Sequence, residues 1–490
     1  MSDFDQSRRW LINAGGAAVL AAAMPIRAAV GKGEAGRASV PDPAYVSPLT
    51  KTLSEYVAAT PDRELPPAVL AAVKLHVLDT IAAMVAGSRL KAGGLAAKYV
   101  AQLGGTPEAT VVGTRSLTSV VNAAFANAMA AHADESDDSN PVGPFHPGCA
   151  CVPAALAIAE HKRRGGMEVL RAVTLGYDVG TRLLQSLGGT KHNPACMTNT
   201  FAATATSAAM LRLSPAEVRY ALSYAGQQAS GIGYWDRDLE HIEKAFDFGG
   251  MGARNGVMAA TMVAMGFTGV KDPFSGTPSI FSVLGENPTP ENLIAGLGAR
   301  FDILGSSIKQ WGAGEPLQSV LDNMKALVQD PAVTPANVER VVVEVATGDV
   351  HIVDNNPNPD LCVQHLVALM IADHGATFWS IHDAARMRDP KVLAVRGLVE
   401  LVPSKELQTA KTKHLTAVRI QTRDGRWLSH SVDKLLGTAQ DPMNARQIEA
   451  KARDLMGPVL GAARSRELIA AIGRIEQLGT LASLRPLLQA

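Results

Sequence analysis

The chain of 490 residues has no net charge, because its lysines plus arginines and its aspartates plus glutamates both number 46. Nucleic-acid binding depends on clustered positive charge that contacts phosphates, so we expect no nucleic-acid partner. Aromatic residues make up only 5% of the chain, whereas glycine, with 44 residues, and alanine are abundant. This composition is typical of a soluble globular protein with closely packed helices, and the length predicts about two or three domains.

Cysteine is also scarce, and its four positions contain no Cys-x-x-Cys pair of a zinc framework. Cys149 and Cys151 are separated by one residue, a spacing that seldom forms a disulfide without strain, so we expect small core residues there. The glycines between residues 249 and 256 lack both a preceding strand and the Gly-x-Gly-x-x-Gly spacing. A dinucleotide-binding loop is therefore not expected, and close helix packing explains these glycines better.

The apolar stretch from residue 12 to residue 24 is too short and too weakly hydrophobic to cross a membrane. It follows the sequence Ser-Arg-Arg-Trp-Leu at residues 7–11 and precedes a proline and small residues, which is the layout of a twin-arginine signal. We predict a signal peptide over residues 1–30, a leader over residues 31–47, and export of the folded protein to a bacterial periplasm without a membrane anchor. The alternative is a disordered basic tail.

Strand patterns are almost missing between residues 48 and 305. After the prolines at positions 66 and 67, apolar residues recur at every fourth position from Val69 to Val85, which predicts a helix. Similar periodic segments follow one another, and only residues 109–112 look extended. We therefore predict a large all-helical domain over residues 48–305.

The pattern changes in the last third of the chain. Residues 338–345 are rich in valine, and the alternation in residues 415–422 leads into Asp424-Gly425, which predicts a β-hairpin. With the helical segments between them, these strands predict a smaller α+β lid domain over residues 306–437. Residues 438–490 are again helical, and we expect them to pack back on the first domain. The predicted fold class is mainly α.

The most informative segment is His132–Gly148, in which four carboxylates and two histidines follow an apolar, alanine-rich helix. Prolines at positions 141, 144 and 147 prevent the helix from continuing, so the segment lies on a helix end and the loop after it. Carboxylates crowded together in a low dielectric repel one another and lose their hydration. We therefore expect the segment in water or in a functional cleft, with Asp134, Asp137 and Asp138 capping the helix or solvated.

Several segments in order along the chain resemble the MmgE/PrpD family, which includes 2-methylcitrate dehydratases and cis-aconitate decarboxylases. They are Leu53-Ser54-Glu55-Tyr56, Leu65-Pro66-Pro67, Leu78-Asp79-Thr80, His132 to Gly148, Lys244 with Gly249 to Gly269, Ile308-Lys309-Gln310-Trp311, and Gln318 to Asp322. The resemblance covers nearly all of residues 48–460. It implies a cofactor-free lyase, usually a homodimer, with an all-helical domain, an α+β lid and the active site in the cleft between them.

The resemblance also assigns roles to individual residues. The family's acidic loop, His-Ala-x-Asp-Phe-Asp-Asp-Thr, corresponds to His132–Ser139, which places Glu135 and Ser139 at functional positions. His146 matches the loop histidine without substitution. Lys244 matches the lysine that precedes the family's glycine-rich helix.

Four further positions differ from the decarboxylase pattern or align less directly. The family's His-Pro dipeptide aligns with His192-Asn193-Pro194. The strictest alignment places Asn193 at the position of the family histidine, and both His192 and Asn193 are candidates for substrate binding. Gln318 corresponds to a lid histidine or glutamine that would also bind substrate. His365 occupies a lid tyrosine position. These differences leave the substrate open between methylcitrate-like, aconitate-like and other acids.

Elimination next to a carboxylate requires a base, a proton donor for the leaving group, and cations or hydrogen-bond donors that hold the carboxylate. We assign His146 as acid–base catalyst, Lys244 as carboxylate clamp and His365 as the partner proton carrier from the lid. Glu135 and Ser139 would orient His146 or the substrate. The predicted function is a lyase that needs no cofactor or metal and dehydrates or decarboxylates a small carboxylic acid.

Two alternatives come from other functional classes. Carboxylates and histidines between His132 and His146 could ligate a divalent metal, which would make the protein a metal-dependent enzyme. The substitutions at Glu135, Gln318 and His365 would also fit a non-catalytic periplasmic protein that binds carboxylates on the same scaffold.

Overall fold

The computed structural model describes residues 44–490. The predicted signal peptide and most of the predicted leader lie outside the described residues. Because apolar residues recur at helical spacing through the first half of the chain, most of it is helical. The helices and the two short strands of this part are α1 Pro48–Ala59, α2 Pro67–Gly87, α3 Lys91–Leu103, β1 Ala109–Thr110, β2 Leu117–Thr118, α4 Val120–Ala131, α5 Gly148–Lys162, α6 Gly166–Leu187, α7 Pro194–Met210, α8 Pro215–Gln228, α9 Ile242–Ala245, α10 Met251–Ala264 and α11 Ile280–Leu284.

The later part of the chain mixes helices and strands and then returns to helix. Its elements are α12 Gln318–Leu327, β3 Val338–Ala346, α13 Val350–Val353, α14 Val363–Asp373, α15 Phe378–Ile381, α16 Pro390–Arg396, β4 Val399–Ser404, α17 Lys405–Thr409, β5 Ala417–Thr422, β6 Trp427–Ser431, α18 Ala445–Leu460, α19 Ala462–Gly473 and α20 Arg485–Leu488. A large helical region with a smaller mixed α+β region confirms the predicted fold class.

The four strands from β3 to β6 form a mixed sheet in the order β4-β3-β5-β6. β5 and β6 are the predicted hairpin and pair antiparallel, with Val418 opposite His430. β3 is central and pairs parallel with β4, with Val341 opposite Val399. Sequence patterns missed β4, because it is a half-exposed edge strand that contains a proline and so lacks a clear alternation.

Two hydrophobic cores underlie these regions. The larger core joins α1, α2, α4–α8 and α10 with residues of α18 and α19, so the C-terminal helices pack against the helical region. The second core lies between the mixed sheet and the helices α12 and α14. α2 is long and apolar enough to cross a membrane, yet 67% of its 18-residue apolar window is buried, as in the core helix of a globular fold.

Glycine allows α10 to pack directly against α7. A Cβ atom on Gly252 would lie 2.6 Å from Asn199 Cβ, and one on Gly256 would lie 2.5 Å from Ala203 Cβ. Both distances are shorter than carbon atoms tolerate, so these glycines serve helix packing as the sequence predicts. The close approach also fixes the start of α10, which follows the segment that carries Lys244.

Candidate active site

The centre of the candidate site is Asp137, whose carboxylate lies between two imidazoles. Its Oδ2 is 2.9 Å from Nδ1 of His132, and its Oδ1 is 3.1 Å from Nδ1 of His146. Burial alone would raise the pKa of Asp137, but the two neighbouring rings outweigh it and hold that pKa well below the ordinary range. The ionised carboxylate therefore orients both rings through Nδ1, and the Nε2 atoms point away from it.

The two histidines differ in what they contact. His132 is fully buried and stacks on the ring of Phe248 at a centroid distance of 4.7 Å. Burial lowers the pKa of His132 to about 4, so this ring is neutral near pH 7. His146 is 7% exposed and meets His132 edge-on at 4.8 Å. His146 is therefore the more accessible of the two rings, in agreement with its assignment from the sequence.

A buried ion-pair network lies beside the histidines. The carboxylate of Glu135 accepts hydrogen bonds from Lys244 and, at 3.2 Å, from Nζ of Lys309. Nζ of Lys309 is also 4.0 Å from Asp137 Oδ1. Burial would raise the pKa of Glu135, but the two lysines lower it far more. Burial would likewise lower the pKa of Lys309, and the two carboxylates raise it instead. All of these charges are therefore retained inside the protein.

A tightly wound segment before α10 positions Lys244. His241 adopts the left-handed conformation, with φ of 55°, and starts the short helix α9. Asp238 accepts a hydrogen bond from the backbone N–H of Lys244 at 3.0 Å. A π-helical turn at Phe246–Gly250 follows, a geometry often found at functional sites. Nζ of Lys244 lies 5.0 Å from the ring centre of Trp235, which covers the ammonium group from the outer side.

Lys309 lies on an extended segment whose backbone is hydrogen-bonded to two other parts of the chain. Backbone N–H and C=O groups of Ser139 and Ser307 pair at 3.0 and 2.8 Å. The next residue, Ile308, donates its N–H to the carbonyl of Gly437 at 3.0 Å. Lys309 is therefore fixed against the acidic loop by main-chain contacts. Ser139, a predicted site residue, contributes its backbone here, while its buried hydroxyl has no hydrogen-bond partner in the described part of the chain.

The expectation that Asp134, Asp137 and Asp138 are solvated is wrong, although Asp138 does meet a helix start, because it accepts a hydrogen bond from the backbone N–H of Gly148, the first residue of α5, at 3.0 Å. Each is at most 1% exposed. Asp138, for example, is 2.6 Å from Nδ1 of His76 and accepts a hydrogen bond from the hydroxyl of Tyr177. Burial of these charges is possible because their partners come from distant parts of the chain, which a local reading of the acidic loop does not reveal.

The lid contributes a histidine that the sequence analysis did not select. Nε2 of His382 lies 3.2 Å from Asp134 Oδ2 and 3.8 Å from Asp360 Oδ2, and its Nδ1 lies 2.8 Å from the carbonyl oxygen of Phe378. The two carboxylates near Nε2 favour the positively charged form of the ring. Burial would lower the pKa of His382, but the two carboxylates raise it to about 10. His382 is thus a buried cation between the lid and the acidic loop.

His365, the predicted proton carrier of the lid, lies elsewhere. It is fully buried on α14, and neither ring nitrogen has a hydrogen-bond partner among residues 44–490. Burial, together with the charges of Arg396 and Arg386, lowers its pKa to about 4. The structure therefore places a neutral histidine in the core of the lid instead of a group at the site. The alignment located the helix but could not show which of its faces meets the acidic loop.

The remaining predicted substrate residues have structural partners. Oε1 of Gln318 accepts from the N–H of Trp311 at 3.0 Å, and its Nε2 donates to the carbonyl of Ala313 at 2.7 Å. The amide of Gln318 thus shapes the loop after Lys309, and its assignment to substrate binding stays a prediction.

Asn193 and His192 stand further along the helical region. Asn193 caps α7 by accepting from the N–H of Ala195 at 3.2 Å, and its amide donates to Asp247. It therefore braces the π-helical turn after Lys244. His192 is exposed, and its side chain makes none of the contacts that define the cluster. Their assignment to substrate binding stays a prediction.

Sequence reasoning missed Asp137 as the central carboxylate, and it missed Lys309 and His382. Lys309 stands inside the segment Ile308–Trp311 that carries part of the family resemblance, so its position was a usable signal. Asp137 was counted with its acidic neighbours. His382 had no signal in the sequence, because its role depends on the packing of α15 against the acidic loop.

One group of side chains in the described residues has a spacing that could hold a metal ion. Ligand atoms of His132, Glu135 and His241 lie within 4.8 Å of one another. Lys244 and Lys309 already neutralise the carboxylate of Glu135. A divalent cation at this position would experience repulsion from both ammonium groups, so the electrostatics favour an anion near them.

A second group combines His132 and Asp137 with Cys149. Metal ions bind the thiolate form of cysteine. Burial, and then the nearby Asp137, raise the pKa of the Cys149 thiol well above its ordinary value. All four cysteines are buried and free. Cys149 therefore resembles a core residue, as the sequence predicts.

A large helical region and a smaller region with a mixed sheet define a mainly α fold, and a buried cluster of histidines, lysines and carboxylates lies within it. The chain belongs to the MmgE/PrpD family: the model of the MmgE/PrpD N-terminal domain matches residues 51–292, and that of the C-terminal domain matches residues 312–477. The predicted family is confirmed, and membership supports a dehydratase-like function within the lyases. The comparison with curated proteins found no match.

Proposed function

We propose that the protein is a lyase that eliminates water from a small carboxylic acid without a cofactor or metal, with decarboxylation as the related reaction. The observation that carries the proposal is the position of Asp137: it holds His146 through Nδ1 while Lys309 lies 4.0 Å from the same carboxylate. A base and a cation therefore stand side by side, as elimination next to a carboxylate requires.

The buried lysines would bind the carboxylate of the substrate. Lys244 and Lys309 both contact Glu135, so two cations share one carboxylate. A substrate carboxylate can join this pair or take the place of Glu135 at one lysine. The ammonium groups would then stabilise the negative charge that develops on the substrate carboxylate when the neighbouring carbon loses its proton.

His146 would move the proton. Its Nε2 accepts the proton from the carbon next to the carboxylate, and Asp137 stabilises the imidazolium that forms. The electron pair left on that carbon forms a double bond to the neighbouring carbon as the carbon–oxygen bond of the leaving hydroxyl breaks, and the hydroxyl takes the proton from Nε2 and departs as water. The ring returns to its neutral form, so His146 both accepts and donates the transferred proton.

The test is incubation of the full chain with hydroxy and unsaturated di- and tricarboxylic acids, followed by mass spectrometry for loss of water or carbon dioxide. On an acid that is turned over, His146→Ala should reduce kcat by at least about 100-fold, the usual contribution of a general acid or base. His351→Ala, a change of an exposed lid histidine, is the matched control and should retain activity. Full activity of the His146 variant would remove that residue from the mechanism.

A metal-dependent enzyme is the second candidate, because the ligand atoms of His132, Glu135 and His241 converge within 4.8 Å. Elemental analysis of the purified protein and assays with a chelator distinguish the two. Stoichiometric metal together with activity lost in chelator and restored by the ion would establish the second candidate. Activity that survives the chelator in metal-free protein supports the first.

We further propose that a twin-arginine signal exports the protein to the periplasm and that it works as a homodimer. Replacement of both Arg8 and Arg9 by lysine should keep the protein in the cytoplasm, which fractionation of cells measures. Light scattering of the purified protein should give twice the chain mass of 51.4 kDa. Periplasmic protein from the double variant, or a monomeric mass, would contradict the respective proposal.

A further inference from the structure

A second polar cavity lies in the helical region, away from the cluster around Asp137. Its volume is about 140 Å³, and its polar lining comes from the end of α1, the turn after it and α6. The polar lining residues include Tyr56, Arg63, Glu64, Arg171, Thr174 and Asp178. The cavity therefore combines two guanidinium groups with a buried carboxyl group.

Asp178 forms the inner wall of this cavity. Its side chain is fully buried, and its Oδ1 accepts a hydrogen bond from the backbone N–H of Asp302 at 2.7 Å. Its Oδ2 has no hydrogen-bond partner within residues 44–490. Burial raises the pKa of Asp178 to about 7. A buried polar atom without a partner is uncommon and costs stability, so Oδ2 is a position where a ligand group would be favourable.

The two arginines supply the opposite chemistry. Arg63 stacks over the ring of Tyr56 at 4.4 Å, which holds its guanidinium at the entrance. Arg171 donates through Nη1 to the carbonyl of Pro61 at 2.6 Å, and its buried Nε has no hydrogen-bond partner in the part of the chain that the structure describes. Guanidinium groups bind carboxylates through paired hydrogen bonds. Glu64, the remaining charge, is exposed at the rim.

We propose that this cavity binds a small carboxylate with a hydrogen-bond donor, a hydroxyl or an ammonium group, on a neighbouring carbon. Arg63 and Arg171 hold the carboxylate, and the donor binds Oδ2 of Asp178. The volume suits such a ligand, because an engineered core cavity of about 150 Å³ is large enough to bind benzene. The site contains none of the residues assigned to elimination, so it is a binding site in addition to the proposed active site.

Calorimetric titration with malate, aspartate and succinate tests the proposal, since the three acids share four carbons and succinate lacks the donor. The titrations use the full chain with Lys244→Ala, which removes turnover and a cation of the proposed active site. Malate or aspartate should bind with a saturable isotherm. Succinate should bind at least about tenfold more weakly, the loss expected for one hydrogen bond of about 1.4 kcal/mol.

Two substitutions in the same background locate the binding. Arg63→Gln changes an exposed side chain, and Asp178→Asn keeps the size of the side chain but places an amide at the inner wall. Each should weaken malate or aspartate binding at least tenfold, whereas Arg89→Gln, a change of an exposed arginine outside the cavity, should leave it unchanged. Thermal melting confirms that each variant is folded.

The proposal is overturned if neither malate nor aspartate binds, if succinate binds as tightly as both, or if the Arg63 and Asp178 variants bind like the Arg89 control. Binding that is present in the wild-type chain but lost with Lys244→Ala alone would assign the ligand to the cluster around Asp137. That result would overturn the second site and leave the proposed lyase function standing. If the wild-type chain turned over none of the acids while the binding results above were obtained, the proposed lyase function would be overturned and the second site would stand.

Discussion

Replacement of His382 by alanine should destabilise the protein severely, because the ring is a buried cation between two carboxylates. Nε2 of His382 lies 3.2 Å from Asp134 and 3.8 Å from Asp360, and the side chain is only 8% exposed. Without the imidazolium, two carboxylates would remain in a low dielectric without their shared counter-charge. The variant therefore loses an attraction and gains a repulsion at the contact between lid and acidic loop.

The magnitude follows from the raised pKa. A shift from 6.5 to about 10 corresponds to roughly 5 kcal/mol, at about 1.4 kcal/mol for each pH unit, as an upper bound for a buried and coupled group. Removal of one partner from a buried ion pair costs about 3–5 kcal/mol in other proteins. We therefore expect His382→Ala to lower the free energy of unfolding by about 3–5 kcal/mol near pH 6.

The pH dependence distinguishes this reason from simple loss of packing. Because the pKa of His382 is higher in the folded than in the unfolded chain, its contribution to stability is complete below about pH 6.5 and is lost as the pH rises towards 10. The difference in unfolding free energy between wild type and His382→Ala should therefore shrink as the pH increases. Urea denaturation at pH 6, 7, 8 and 9, followed by near-ultraviolet circular dichroism, measures that difference.

His351→Ala is the matched control, since this histidine of the lid is exposed. It should change the free energy of unfolding by less than about 0.5 kcal/mol at every pH, as surface substitutions usually do. A difference between wild type and His382→Ala that stays constant from pH 6 to pH 9 would refute the reasoning. It would mean that the imidazolium is not the source of the stability.

Three further predictions concern contacts other than those of His382. Asp137→Asn keeps the shape but removes the charge that orients His146, so kcat in steady-state assays should fall by about 10²–10⁴-fold; an unchanged kcat would contradict that role. Lys309→Met should destabilise the fold by about 3–5 kcal/mol in urea denaturation, because it leaves buried carboxylates with one cation fewer, and a neutral effect would refute the ion-pair argument. Gly256→Ala should destabilise by about 1–3 kcal/mol because its Cβ meets α7, whereas Gly94→Ala on α3, where a Cβ would meet only the carbonyl oxygen of Ser88 at 3.9 Å, should stabilise by up to about 1 kcal/mol. Equal melting temperatures of the two glycine variants would contradict the packing argument.

The sequence predicts the helical region and the hairpin well, because both depend on local periodicity. The apolar spacing from Val69 to Val85 predicts a helix without any knowledge of distant contacts, and α2 spans Pro67–Gly87. The alternation before Asp424-Gly425 reports β5 and β6 in the same way. β4 is missed because none of its residues is fully buried and a proline interrupts its pattern, so no clear alternation results.

The candidate site is predicted only where a motif is continuous. His146 and Glu135 belong to one acidic loop, and Lys244 lies in a segment that resembles the family, so all three were selected. His382 could not be selected, because its partners Asp134 and Asp360 lie 248 and 22 residues away along the chain. His365 was selected in its place, since an alignment gives position in a helix but not the face that is buried against the site.

Burial of the acidic loop explains why these long-range partners matter for function. Glu135 and Asp137 remain ionised in a low dielectric only because each meets cations or hydrogen-bond donors. Lys244 comes from the helical region, Lys309 from the first residues of the lid, and His382 from a later part of the lid. The carboxylates of the acidic loop therefore have all their counter-charges only after these separate parts of the chain have packed together.

The C-terminal helices complete the same arrangement. Lys451 of α18 donates to the carbonyl of Ser136 in the acidic loop at 2.6 Å and lies 2.6 Å from Asp79 of α2. Residues far apart in sequence thus hold one loop from several sides, and each contact costs more when it is broken than a surface ion pair would. A base that is held this firmly needs little reorganisation when charge develops on a substrate. In the proposed mechanism, the electrostatics that stabilise the fold would therefore also prepare His146 for proton transfer.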